Sequence, residues 1–173
     1  APLNNLHMAA QRLAPQDSDC DEQAILQQSY YRMLRLVGNL TTAPELLSDA
    51  AFDTQNLELV VWLDELCRQA DSIAREAGVE VRFVCRERYV IAAVERTYLE
   101  RLVWNLLSNA LKYTGQDGTI RVYRDGDDLC VSDSGMGIAP EDVPRVFDMG
   151  YTGQNGRLDR RSSGIGLYLC RRI

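Results

Sequence analysis

Residues 105–114, NLLSNALKYT, close a strongly helical segment, TYLERLVWNLLSNALKYT, that starts at Thr97. Leu99, Leu102, Val103, Leu106, Leu107, Ala110 and Leu111 recur at helical spacing and form its apolar face. Asn105, Asn109 and Lys112 stand at i, i+4 and i+7. At about 100° per residue they share a stripe roughly 60° wide, opposite the apolar face. Two amide oxygens and one ammonium therefore point the same way. An amide oxygen is a hard ligand that suits Mg²⁺, and an ammonium suits a phosphate. Taken alone, the stripe is explained more simply as a solvated helix face.

Two segments further along the chain point to the same chemistry. In DLCVSDSGMGIAP (128–140), Leu129, Val131 and Asp133 fall on one side of a strand by two-residue alternation. Asp133 thus continues an apolar row at a strand end. An ionised carboxylate only accepts hydrogen bonds, and beside a flat apolar pocket it could receive the exocyclic amine of adenine. Gly135 and Gly137 permit close approach of a ligand to backbone; a plain Asp-Ser-Gly turn is the simpler alternative. In SSGIGLYLC (162–170), Gly164 and Gly166 open an apolar helix, whose free N–H groups and positive dipole end suit phosphate oxygens. Neither a Walker A motif nor a dinucleotide fingerprint is present. Between the two glycine pairs lies a stretch with Gly150, Gly153, Gly156, Arg157, Arg160 and Arg161. It is expected to form a flap able to close over a ligand, or a plain loop.

In this order, NLLSNALKYT, DSGMGI, RVFDMGYTG and SSGIGL resemble the N, G1, F and G2 boxes of the sensor histidine kinase ATP-binding domain. That domain belongs to the superfamily shared with gyrase and the heat-shock chaperone ATPases. The resemblance spans about residues 57–173, and GYTGQNGR resembles the short-lid kinases of peptide-stress sensing systems. It implies that Asn109 ligates the Mg²⁺ bridging the ATP phosphates, with Asn105 beside it. Lys112 would contact phosphate and Tyr113 would line the nucleotide pocket. Asp133 would bind the adenine amine, with Gly135, Gly137 and Ile138 shaping that wall. Phe147 would anchor the lid, while Gly164, Gly166 and Leu167 would admit the phosphates to the helix start. Asn105 stands where the hydrolysing members carry a glutamate base. An asparagine has no useful basicity, which suits a nucleophile that arrives from elsewhere, a histidine imidazole. Phosphoryl transfer would then rest on positioning and charge neutralisation, with Asn105 and Lys112 as the catalytic pair.

Outside these boxes the chain divides at about residue 54. Leu3, Leu6, Ala10 and Leu13 repeat at spacings of three and four, a polar break with Pro15 follows, and Leu26, Tyr30, Met33, Val37 and Leu40 form an a/d seam. Residues 1–54 are expected to form an antiparallel helical hairpin, which two copies would complete as a dimeric four-helix bundle; packing onto the rest of the chain is the alternative. In residues 55–173, LELVVWL, VEVRFVC and YVIAAVE read as strands, Asp64–Ala77 as a helix stopping at Gly78, and residues 118–135 as a hairpin turning near Gly126-Asp127. Strands and helices mix without βαβ alternation, so the expected class is α+β: the hairpin, then an α/β sandwich of the histidine kinase ATPase type lacking its last strands.

Composition sets limits. With 19 Lys+Arg and 25 Asp+Glu the net charge is −6, which argues against sequence-independent nucleic-acid binding. No apolar run is long enough for a membrane span. Five scattered cysteines lack metal-ligand spacing and, being odd in number, suit free thiols in a reducing compartment.

The resemblance implies the cytoplasmic part of a bacterial membrane sensor, with ATP and Mg²⁺ as cofactors, a second copy of the chain as dimer partner, and a response-regulator aspartate as the final phosphate acceptor. The rival expectations are a degenerate regulatory module and an ATP-hydrolysing member of the superfamily. The only histidine, His7, is followed by MAAQ and sits beside the seam, so it is expected to be a flanking helix residue. The family's acceptor motif places histidine five positions before Pro-Leu; counting back from Pro2 passes Ala1, so the acceptor is expected upstream and this chain is expected not to autophosphorylate.

Overall fold

The computed structural model describes residues 53–153 and 163–173. The hairpin expected over residues 1–54 lies almost wholly outside the described residues, as do residues 154–162 of the expected flap.

The described chain begins with strand β1 (Gln55–Glu58), followed directly by helix α1 (Leu59–Ala74) and a single 3₁₀ turn at Arg75–Ala77. Strands β2 (Glu80–Val84) and β3 (Ile91–Val94) lead to helix α2 (Arg96–Tyr113). The hairpin β4 (Thr119–Asp125) and β5 (Asp128–Asp133) comes next, then a second 3₁₀ turn at Val143–Arg145 and the short helix α3 (Gly166–Arg172). This is the expected α+β arrangement.

One expected element differs. LELVVWL is a strand only as far as Glu58; from Leu59 it is helix. A short apolar run does not distinguish strand from helix, and the longer pattern decides. Leu63, Leu66, Cys67, Ala70 and Ala74 are buried at helical spacing, whereas Val61 is 69% exposed. The Glu58 carboxylate starts the helix by accepting the Val60 and Val61 N–H groups, and it also accepts the Val90 N–H from the approach to β3. The bond from Val61 leads in holding its carboxyl below the usual range.

Strands β2, β4 and β5 form one sheet, in that order, with β2 parallel to β4 and β4 antiparallel to β5; β1 and β3 pair antiparallel in a separate ribbon. Register aligns Phe83, Val122 and Val131 in one inward row, and Val81, Ile120 and Asp133 in the next. Helices α1 and α2 cover that face. Leu63, Leu66 and Ala70 of α1 and Val103, Leu107 and Ala110 of α2 meet Val81, Ile120 and Val122 in one core. The opposite face carries Arg82 and Arg121, both exposed. Asp71 ties helix to sheet, accepting the Val81 N–H at 2.9 Å and the Arg75 Nε–H at 2.6 Å.

The four described cysteines are free. Burial pushes the Cys67 thiol up to about 12 and the Cys170 thiol to about 11, so both act as small apolar groups. Among the described residues no cluster of His, Cys, Asp and Glu could hold a metal, and no helix is long and apolar enough to cross a membrane.

Candidate functional site

Helix α2 is covered on both sides, so its polar stripe is not the solvated face that the helix taken alone would suggest. Its apolar face packs on the sheet. Its polar side meets α3: a Cβ placed on Gly166 would lie 3.3 Å from Asn105 Oδ1, and the Cys170 thiol donates to the Leu102 carbonyl at 3.8 Å. Asn105 is consequently only 3% exposed, while Asn109 and Lys112 are half-buried.

A cavity of about 290 Å³ opens beside this stripe. Asn105, Asn109, Lys112 and Tyr113 line it from α2, Asp133 from the end of β5, Gly137 and Ile138 from the loop beyond, and Gly164, Gly166 and Leu167 from the start of α3. These residues lie up to 62 positions apart in sequence, from Asn105 to Leu167, and the fold brings them to one place. Leu106, Ala110, Val131 and Ile138 supply an apolar slot, with the polar groups gathered beside it. A slot of this make-up is the usual form of a small-molecule site.

Local contacts explain the placement of each wall. Asp133 pairs with Ile120 at the end of the inward row, so it leaves the core at its rim. Its Oδ1 accepts the Gly135 N–H at 2.9 Å, which holds the carboxylate in one rotamer. Lys112 donates to the Tyr113 hydroxyl at 3.0 Å and lies 4.6 Å from the centre of that ring, which places the ammonium along the cavity wall. Gly164 has φ +65°, and a Cβ there would fall 2.4 Å from the carbonyl carbon of Gly150; its own carbonyl accepts the Gly150 N–H at 3.0 Å. The segment leading to α3 is thus clamped against Gly150 and Tyr151 by backbone contact that only glycine allows.

Two expected site residues do not line the cavity. Phe147 lies on the outer side of α3, in a shallow depression with Met149, Tyr168, Arg171 and Arg172. Gly135 faces the chain itself. A Cβ there would lie 2.5 Å from the Tyr113 carbonyl oxygen and 2.8 Å from Asp133 Oδ1, and the next residue, Met136, donates its N–H to that same carbonyl at 3.2 Å. Close approach to the end of α2, and not to a ligand, is what requires this glycine. Gly135→Ala is expected to cost about 1–3 kcal/mol, because the Tyr113 backbone on one side cannot give way. A fall in the thermal midpoint would register it; an unchanged midpoint would contradict the packing argument.

Five cavity residues were given no role by the sequence: Asp142, Val146, Tyr151, Thr152 and Ser163. Asp142 looks like an ordinary surface acid after Glu141, yet it is only 7% exposed. Its Oδ1 accepts the Tyr151 hydroxyl proton at 2.6 Å. Only the adjacency of two separate turns of chain reveals this pair, and no periodicity signals it.

The site is thus an apolar slot between a helix carrying two asparagines and a glycine-led second helix, set on an α+β layer. Residues 94–173 match the family model described as histidine kinase-, DNA gyrase B-, and HSP90-like ATPase. Relatives that align over most of the chain are named as sensor proteins and sensor histidine kinases. The sensor protein BceS of Bacillus subtilis (strain 168) is 27% identical over 182 aligned positions, covering 99% of this chain and 51% of that protein. The solved cytoplasmic segment of the histidine kinase QseC is 29% identical with a TM-score of 0.54, over 71% of this chain and 79% of that one. Full-length ShkA, solved in complex with AMPPNP, superposes with a TM-score of 0.67 at 20% identity, over 99% of this chain and 37% of that one, and supports the fold alone. The chain spans about half or less of the length of the curated relatives it matches.

Proposed function

We propose that this chain is the ATP-binding portion of a sensor histidine kinase, and that the whole protein transfers the γ-phosphoryl group of ATP to a histidine and then to a response-regulator aspartate. The observation that carries the reading is the meeting of Asn105, Asn109, Lys112 and Asp133 around one apolar slot. In this reading the adenine ring enters between Val131, Ile138, Leu106 and Ala110. Asp133 accepts its exocyclic amine. The triphosphate runs towards Lys112 and the start of α3, near Gly164 and Gly166.

The donor set fits Mg²⁺ as a phosphate-bound ion and not as a resident one. The cavity offers amide oxygens from Asn105 and Asn109, and a metal held mainly by substrate phosphates needs few protein ligands. Asn109 would hold it, and when bound the ion would neutralise charge developing on the transferred group. Lys112 adds a fixed positive charge on the same side. Asn105 is buried and has no basicity, so it orients and does not abstract a proton. That supports transfer to an incoming imidazole over attack by water.

The dimer through residues 1–54, the response-regulator partner, the boundary near residue 54 and a cytoplasmic location of this part belong to the same proposal. They rest on the sensor-kinase relatives.

Calorimetric titration tests the ligand. ATP is expected to bind the chain more tightly with Mg²⁺ than with a chelator, and Asn109→Ala to remove most of that difference. A Mg²⁺ effect left whole in the variant would overturn the metal assignment. Labelled ATP tests the chemistry in the full-length protein: acid-labile label on a histidine is the expected product. Phosphate release with no labelled protein would instead indicate a hydrolase.

A further inference from the structure

Asp142 is a buried carboxylate on the wall of a cavity proposed for a polyanion, a placement that needs an explanation. An ionised acid there repels phosphate unless its charge is engaged elsewhere. The surroundings engage it. The Tyr151 hydroxyl donates to Oδ1 at 2.6 Å, the short distance of a charge-assisted bond. Oδ2 lies against Gly153, where a Cβ would sit 2.8 Å away. The backbone of Asp142 is itself held in a turn, its N–H donating to the Ala139 carbonyl at 2.8 Å and its carbonyl accepting the Arg145 N–H at 2.9 Å. Arg145 in turn lies 4.3 Å over the Tyr151 ring and pairs with Asp148 at 3.5 Å. Asp142 therefore joins two walls of the cavity, the loop after Gly137 and the segment Tyr151–Gly153, both of which line it.

We infer that Asp142 is a positioning residue: through Tyr151 it holds the Tyr151–Gly153 wall at the spacing the bound nucleotide requires, while the tyrosine hydroxyl keeps the carboxylate turned from the ligand. The inference rests on the ATP reading above. It concerns residues outside the matched asparagine and glycine boxes, and it assigns Asp142 no contact with substrate.

The test is calorimetric affinity for ATP with Mg²⁺, measured on the chain with Asp142→Ala, Asp142→Asn, Tyr151→Phe and the double variant Asp142→Ala/Tyr151→Phe. Asp142→Ala and Tyr151→Phe are each expected to weaken binding about tenfold, the size of one lost charge-assisted bond. The double variant should be no weaker than the worse single, since both remove the same link. Asp142→Asn retains an oxygen acceptor for the tyrosine and should stay within about threefold of the parent chain. Thermal midpoints that stay near the parent's while affinity falls separate this positioning from a purely structural role. Circular dichroism and thermal midpoints identify any variant that fails to fold, and Tyr151→Phe, which keeps the ring, still reads the link if Asp142→Ala unfolds. Additive losses overturn the inference, as does an unweakened Asp142→Ala when Asp133→Asn abolishes binding; both leave the ATP reading standing. If neither Asp133→Asn nor Asp142→Ala alters affinity, the ATP reading falls and the inference falls with it.

Discussion

Asp133→Asn is expected to lower the affinity for ATP by about 100-fold or more, with no change in the circular dichroism spectrum. The reason lies in which bonds an amide can replace. Asp133 Oδ1 accepts the Gly135 N–H at 2.9 Å, and the amide oxygen of asparagine can accept the same bond. The loop is then held as before. The second position now carries an NH₂ donor where adenine also presents an amine donor, so two donors face each other in a slot lined by Val131 and Ile138. Fold and binding should therefore separate cleanly. Affinity within a few-fold of the parent chain, measured by calorimetry, would remove Asp133 from the adenine assignment.

Leu107→Ala is expected to be the most destabilising of the changes considered, at about 2–5 kcal/mol. Leu107 has 0% exposure and packs with Val103, Ala110, Ile120 and Val122, where α2 meets the sheet. Truncation leaves a void between two rigid layers, neither of which can close on it without moving the other. Urea unfolding should show a lower midpoint with little change in slope. A loss below about 1 kcal/mol would mean that the layers collapse onto the void more freely than this packing implies.

These two residues sit at opposite ends of what sequence reading can reach. Leu107 is legible because helical periodicity and burial are the same physical fact: the face that repeats every 3.6 residues is the face removed from water. Asp133 is legible because strand alternation carries an acid into an apolar row. Glu58 is the contrary case. LELVVWL is too short to choose its own structure, and the choice was made by a distant residue, Val90, and by a helix pattern extending to Ala74. Gly135 is different again. Its role in a glycine-rich box suggested a ligand, but the atom that forbids a side chain is the Tyr113 carbonyl oxygen, 22 positions earlier in the chain.

The sequence by itself determined the class of the fold, the helix that carries Asn105, Asn109 and Lys112, the hairpin of β4 and β5, and most of the residues that share the cavity. Those features follow from local periodicity, turn chemistry and the order of the motifs. Only the tertiary structure decided that α3 closes over the polar side of α2 and buries Asn105, that Gly135 and Phe147 lie outside the cavity, and that Asp142 and Tyr151 pair on its wall. Each of these depends on where two segments distant in sequence come to rest against one another. Such contacts have no period to read, because packing, and not the local chain, sets the distance between them.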